Sequence, residues 1–317
     1  MKKTSKISIL GAGNVGATIA YTLMLEGRAS EMVLVDINRN KAKGEAMDLI
    51  QCTALCPAAD IYAGDYPDIA GSDIVIVTLG GGRKPGQSRI DLAQGNVNII
   101  KSAMPQAVKY APNAIYVVVS NPVDIVTYAT LKVTGLPENR IFGSGTLLDS
   151  SRLREMIARH VNVNPKNVHA YVFGEHGDSS MVPWSLTSVG GIPLRTVLSS
   201  LRKKTPGITD IDRAKVEDSM HRSGGEIIRL KGATYYAIAV AASKICRNIL
   251  RNTNSVMTLS GMLHGEYGFD GICMSIPFIL NREGIGNSIA PPLQDDEMEK
   301  LRASAGLLKN TIEKLDL

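Results

Sequence analysis

The sequence predicts an α/β protein: a doubly wound parallel sheet in residues 1–145, followed by an α+β unit in residues 146–317. Three observations carry that prediction. Short, almost wholly aliphatic runs alternate with longer amphipathic segments through the first half, and strands apolar on both faces belong to a parallel sheet covered by helices. Turn signals follow those runs, among them Gly11, Gly80 and Pro122. Beyond about residue 145 the pattern changes to long helices and a pair of adjacent strands.

The run "KISILGAG" at 6–13 is the first strand, and a helix is predicted from Val15 to about Leu25. "EMVLVDIN" (31–38), "SDIVIVTLG" (72–80), "NAIYVVVSNP" (113–122) and "NRIFGSGT" (139–146) continue the strands, with helical patterns between them. Such strand–helix–strand repeats impose right-handed crossovers. Ligands of these sheets bind off the carboxyl ends of the strands, so the turns there are the first place to search. In the second half, 150–162 reads as a helix, 169–194 as β-rich with turns, and about 209–229 and 233–251 as long helices. "SVMTLSGML" and "GICMSIPFIL" read as paired strands, and "DDEMEKLRASAGLLKNTIEKL" as a terminal amphipathic helix.

Composition narrows the partners. A chain of 317 residues, 44% hydrophobic, can bury a large core without disulfide staples. Its net charge of +5 and pI near 8.9 are mild and scattered, and aromatics are only 5%. That argues against a nucleic-acid groove with stacking platforms and suits an anionic small molecule. Cys52, Cys56, Cys246 and Cys273 form no CxxC pair and no metal-ligand spacing, so they read as buried free thiols, with no metal expected. A basic start running straight into a strand gives no signal peptide, and no apolar run approaches a bilayer span. A cytoplasmic protein with no membrane partner is expected.

Gly11-Ala12-Gly13-Asn14-Val15-Gly16 is G-x-G-x-x-G directly after a strand and opening a helix. The first glycine allows the tight turn, the second lets a pyrophosphate approach the backbone, and the third lets helix pack on strand. The helix N-terminus then offers unpaired N–H groups to phosphates. Asp36 stands twenty residues past Gly16, at the end of the second apolar run. A carboxylate there accepts from both ribose hydroxyls and repels a 2′-phosphate, so NAD is favoured over NADP despite the nearby Arg39. This is a Rossmann dinucleotide site, with Gly11, Gly13, Asn14, Val15, Gly16 and Asp36 its expected cofactor residues.

NAD chemistry needs a group that handles a proton. His176 lies in "GEHGDSS", a glycine-flanked turn able to display an imidazole to a cleft. Asp149 and Arg152, three apart in "LLDSSRLRE", share one face of a helix start. A carboxylate beside an imidazole raises its pKa and fixes its tautomer, so His176 can protonate a carbonyl as hydride arrives. His160, His221 and His264 have no reactive-looking neighbours and read as ordinary surface or helix histidines.

The order of these motifs, continued by "RKPGQSRIDL", "VVSNPVDI", "GSGTLLDSSRLR", "FGEHGDSS" and "KGATYYAIA", resembles the lactate/malate dehydrogenase family over essentially the whole chain. The resemblance implies His176 as proton donor and acceptor, Asp149 as its orienting partner, and Arg152 as the fork on the substrate's C1 carboxylate. It implies Asn121 near the substrate carbonyl and nicotinamide, Thr234 in the substrate pocket, and Arg89 on a closing loop that polarises the carbonyl. That loop explains why "GGRKPGQSR" gathers three cations among glycines and a proline. It also implies a homotetramer, with a dimer as fallback and the helix after "GEAMDLIQ" as a plausible contact.

Arg83, six residues before Arg89, falls where malate enzymes carry arginine and lactate enzymes usually glutamine. A second substrate carboxylate buried without a partner costs several kcal/mol, and arginine supplies one, so malate/oxaloacetate is expected over lactate/pyruvate. The body of the chain looks more like a bacterial lactate dehydrogenase. There Arg154 and His169 match positions that bind fructose 1,6-bisphosphate, against the plain reading of a solvated arginine and a strand-edge histidine. Two other readings remain: an NAD sensor without chemistry, and a glycosidase on the same architecture. The glycosidase needs a metal-binding cysteine or histidine near "SNP", and "VVVSNPVDI" has none.

Overall fold

A computed structural model describes residues 5–81, 89–205 and 207–317, without the Arg89 side chain. The first half builds β1 (Lys6–Leu10), α1 (Asn14–Leu25), β2 (Glu31–Val35), α2 (Arg39–Cys52), β3 (Asp60–Ala63), β4 (Ile74–Val77), α3 (Arg89–Tyr110), β5 (Ile115–Val118), α4 (Val123–Thr134) and β6 (Ile141–Gly143). The second half adds α5 (Leu147–Val161), β7 (Val168–His169), β8 (Ser188–Val189), β9 (Ile192–Pro193), α6 (Leu194–Arg202), α7 (Arg213–Lys231) and α8 (Tyr236–Arg251). It closes with β10 (Ser255–His264), β11 (Asp270–Asn281), β12 (Gly284–Ser288) and α9 (Asp295–Ile312).

The first six strands are parallel in the order β3-β2-β1-β4-β5-β6. The order reverses between β1 and β4, which opens the crevice where such sheets bind dinucleotides. Their aliphatic runs are buried on both faces, as in Ile74–Val77 and Ile115–Val118. The sheet does not stop at the chain's midpoint. Antiparallel β10 joins β6 through Ser260 and Gly143, and β11 and β12 extend it to nine strands among the described residues. This single sheet ties the second half to the floor of the crevice.

Two stretches depart from expectation. Segment 169–194 holds only the two-residue strands β7–β9, which start at Val168, and a bridge from Phe173 to Met181. Its glycines, prolines and serines bend the backbone too often for a long ladder, and the resulting loop carries His176. Strands β3 and β12 were missed, because "DIYA" is short and "GIGNS" lacks strand-forming side chains. Both are held by edge pairing with a longer neighbour.

Candidate active site

At the end of β1, Gly11 takes φ +105°, and its N–H donates to Val35 O at 2.7 Å, locking the turn to β2. A Cβ on Gly16 would sit 1.9 Å from Gly11 O, so only glycine lets α1 start this close to the strand. Among the described residues a Cβ on Gly13 would meet nothing within 4 Å, which leaves room over the turn for a ligand. Gly13 caps α1 without a side-chain bond, so the first N–H groups stay available to phosphate. Asp36 reaches the same turn. Its Oδ2 accepts from Ala12 N at 2.7 Å and its Oδ1 from Asn38 N at 2.8 Å. A carboxylate has lone pairs left for ribose hydroxyls. Arg39 pairs instead with Asp65 at 2.8 Å, both exposed, and gives no dedicated partner to a 2′-phosphate. The residues present fit NAD.

The predicted chemistry gathers in a cavity of about 260 Å³ between the two halves. Buried Asp149, in the first turn of α5, holds both partners. Its Oδ2 accepts from His176 Nδ1 at 2.6 Å and its Oδ1 from Arg152 Nη1 at 2.8 Å. With Nδ1–H given to the carboxylate, Nε2 is the ring nitrogen left for chemistry. Burial of the imidazole works against its protonation, but the Asp149 charge and hydrogen bond, with Asp124 beyond, outweigh it and raise the pKa above 6.5. Burial likewise pushes Asp149 up, and His176 and Arg152 pull it below its ordinary value. Asp149 is therefore ionised, and its charge favours the protonated form of His176.

Asn121, Arg152, His176, Thr234 and Val15 all line this cavity, so those sequence-predicted residues converge. Asn14 is exposed at the head of α1. Arg89 opens α3, but its side chain and the whole of Arg83 lie outside the described residues. Arg154 and His169 are elsewhere: Arg154 lines a separate small cavity and donates to Pro165 O at 3.2 Å, and His169 is an exposed residue of β7. Cys246 and Cys273 are buried free thiols as expected, while Cys52 and Cys56 are only half-buried.

Two site residues escaped the sequence reading. Asp124, in the first turn of α4, is buried at 2% exposure. Its Oδ2 accepts from the backbone N–H of His176 at 2.7 Å and its Oδ1 from Ser260 Oγ at 2.6 Å. Burial pushes its carboxyl up to about 6 against those two hydrogen bonds. The signal was present in "SNPVDI", an acid in an otherwise apolar helix face. His221, taken for an ordinary helix histidine, lines the cavity and bonds Ser180 Oγ through Nε2 at 2.9 Å. Only the packing of α7 on the loop before it reveals that.

Fold and site together define an NAD-binding Rossmann protein with a histidine–carboxylate–arginine centre. Residues 5–143 match the NAD-binding domain of lactate/malate dehydrogenase, and residues 146–316 match that family's alpha/beta C-terminal domain. An L-lactate dehydrogenase of Thermoanaerobacterium saccharolyticum is 44% identical over 313 residues, covering 99% of this chain and all of that protein. One of Acetivibrio thermocellus is 45% identical over 316 residues, covering 100% and 99%. Two solved structures superpose with TM-scores of 0.93 at 36% identity. They are a lactate dehydrogenase from a Medee basin deep-sea metagenome library (98% of each chain) and a minor L-lactate dehydrogenase of Enterococcus mundtii (100% of each). The chain belongs to the lactate/malate dehydrogenase family and is an NAD-dependent dehydrogenase.

These relatives overturn the expectation of malate dehydrogenase drawn from Arg83: they are L-lactate dehydrogenases. A likeness running the length of the chain outweighs one cation in its sequence. In the described wall of the cavity Arg152 is the sole arginine or lysine, and Arg83 lies outside the described residues.

Proposed function

We propose that the chain is an L-lactate dehydrogenase, reversibly reducing pyruvate with NADH. The observation that carries this reading is the Asp149 carboxylate gripping His176 and Arg152 at once. That geometry also disfavours a mere NAD sensor, which needs no such centre. NADH, when bound, supplies the hydride. Arg152 gives one N–H to Asp149 and keeps the rest of its fork for the substrate carboxylate. His176 Nε2–H protonates the carbonyl oxygen as charge develops there, and takes the proton back in the reverse direction. Asp149 stabilises the imidazolium, and Asn121 orients the carbonyl beside the nicotinamide. Thr234 bounds the substrate's far end. By the family resemblance, Arg89 arrives with the lid and polarises the carbonyl. Loss of the NADH absorbance band on adding pyruvate tests the proposal; an unchanged band refutes it.

Regulation and assembly extend the reading. Arg154 Nε is buried without a partner among the described residues, in a cavity it shares with Lys244. Burial and the neighbouring Arg154 and Arg247 lower the Lys244 pKa. Such crowded cations suit an anionic effector, so fructose 1,6-bisphosphate acts through Arg154, with His169, exposed on β7, as the other expected contact. A saturation curve for pyruvate unmoved by the bisphosphate refutes that. The protein is proposed to be a homotetramer, and light scattering that gives a dimer or monomer mass corrects it. No described helix is long and apolar enough to cross a membrane.

A further inference from the structure

One face of α7 forms a wall of the active-site cavity, and its middle is missing. His221, Gly224, Gly225 and Ile228 all line the cavity, and their spacing puts them in one stripe of the helix. The two central positions carry no side chain. Nothing about the backbone calls for glycine there. Neither residue has a positive φ. Among the described residues a Cβ on Gly225 would meet nothing within 4 Å, and one on Gly224 would first meet Arg152 Nη2 at 3.6 Å, an ordinary contact. Glycine inside a helix is weaker than alanine, through its larger loss of backbone freedom. Two in succession, with no steric need for either, leave a gap whose evident effect is room in the cavity.

That room has a definite place and polarity. Through Gly224 it adjoins the Arg152 guanidinium, the group that takes the substrate carboxylate, so it lies within reach of a short acid's side chain. Ile228 follows on the same helix face, and Ile238 of α8 and Thr234 complete the wall. Among the described lining residues Arg152 is the sole arginine or lysine, and its fork is committed to Asp149 and the carboxylate. His221, at the head of the stripe, has its Nε2 engaged with Ser180, so the gap suits an uncharged aliphatic chain. Pyruvate, with only a methyl group, leaves it unfilled.

We propose that the Gly224–Gly225 gap is a specificity pocket, and that the enzyme reduces aliphatic 2-oxo acids longer than pyruvate, through to branched six-carbon acids. This rests on the dehydrogenase reading above and names the substrate class of the same site. The longer chain covers Ile228, an exposed apolar residue, and each methylene taken from water there raises kcat/KM by about fourfold.

The test measures NADH oxidation by the full-length wild-type protein with pyruvate, 2-oxobutanoate, 2-oxopentanoate and 4-methyl-2-oxopentanoate, then by Gly225→Ala and Gly225→Val. In the wild type, kcat/KM rises from pyruvate to 2-oxopentanoate, and the branched acid is turned over at least as well as pyruvate. Gly225→Val lowers the ratio of 2-oxopentanoate to pyruvate at least tenfold, and Gly225→Ala lowers it less while raising Tm. The Tm rise separates a filled pocket from a damaged fold. Brisk reduction of pyruvate with a hundredfold loss on 2-oxopentanoate overturns the pocket and leaves the dehydrogenase intact, as does an unchanged ratio in Gly225→Val. No oxidation with any of the four acids overturns the dehydrogenase reading and the pocket together.

Discussion

Replacing Asp124 with asparagine is expected to make the protein more stable and less active. Burial raises this carboxyl from 3.8 to about 6 in the folded chain. A raised acid favours the folded state most when protonated, below pH 3.8, and loses that contribution as pH climbs through 6. At neutral pH the group is ionised in both states, and its buried charge counts against folding by about 3 kcal/mol, from 1.36 kcal/mol per pKa unit. Linkage places roughly 2 kcal/mol of this between about pH 4.5 and 7.5. Asparagine keeps an oxygen for the His176 N–H, and the Ser260 hydroxyl can turn to accept from the amide, so both hydrogen bonds survive the loss of charge. Urea unfolding of both proteins across that range checks the reasoning. Wild type should lose about 2 kcal/mol relative to the variant as pH rises, nearly all of it below pH 6.5, where the raised pKa of His176 does not yet act. Activity falls because Asp124 is one of the anions favouring the imidazolium, alongside Asp149 and against Arg152. Unfolding curves that stay parallel across the range refute the ionised, buried Asp124.

Removing the other anion gives a sharper kinetic signal. Asp149→Asn lowers the His176 pKa, so the alkaline limb of kcat/KM for pyruvate reduction, which needs the imidazolium, moves to lower pH. The rate falls by about 10²–10⁴-fold, the range of a general acid's contribution, and a pH–rate profile reads both effects. Gly16→Ala forces a methyl against Gly11 O. Overpacking of this kind costs roughly 1–3 kcal/mol, and as the turn shifts to relieve it NADH affinity, followed by fluorescence titration, weakens about fivefold or more. Asp36→Ser removes the charge that repels a 2′-phosphate and the acceptor for Ala12 N–H. The NADP-to-NAD preference, measured as a kcat/KM ratio, should rise about tenfold, equivalent to 1.4 kcal/mol, while NADH binding weakens.

How legible was the site before the fold was known? The Gly11–Gly16 turn and Asp36 stood out because their chemistry is local: a tight turn, a helix start and the end of the next strand. His176, Asp149 and Arg152 stood out because their residue types and order matched a family, and the cavity brings all three together. Asp124 and His221 did not stand out. Each has its meaning in a partner distant in the chain, Asp124 through His176 at 52 residues and Ser260 at 136, His221 through Ser180 at 41. The substrate was misjudged for a related reason: one arginine in a sequence carries less than the likeness of the whole chain to L-lactate dehydrogenases.

By itself, then, the amino-acid order determined the parallel strands, the crossovers, the nucleotide turn and the set of reacting groups. These follow from steric and hydrophobic preferences that operate between near neighbours. The tertiary structure alone decided that β10 extends the sheet through Gly143, that Asp124 braces His176 from behind, and that two glycines of α7 open a wall of the cavity. Burial, dielectric and free volume belong to no single segment. They come into being only when distant segments pack.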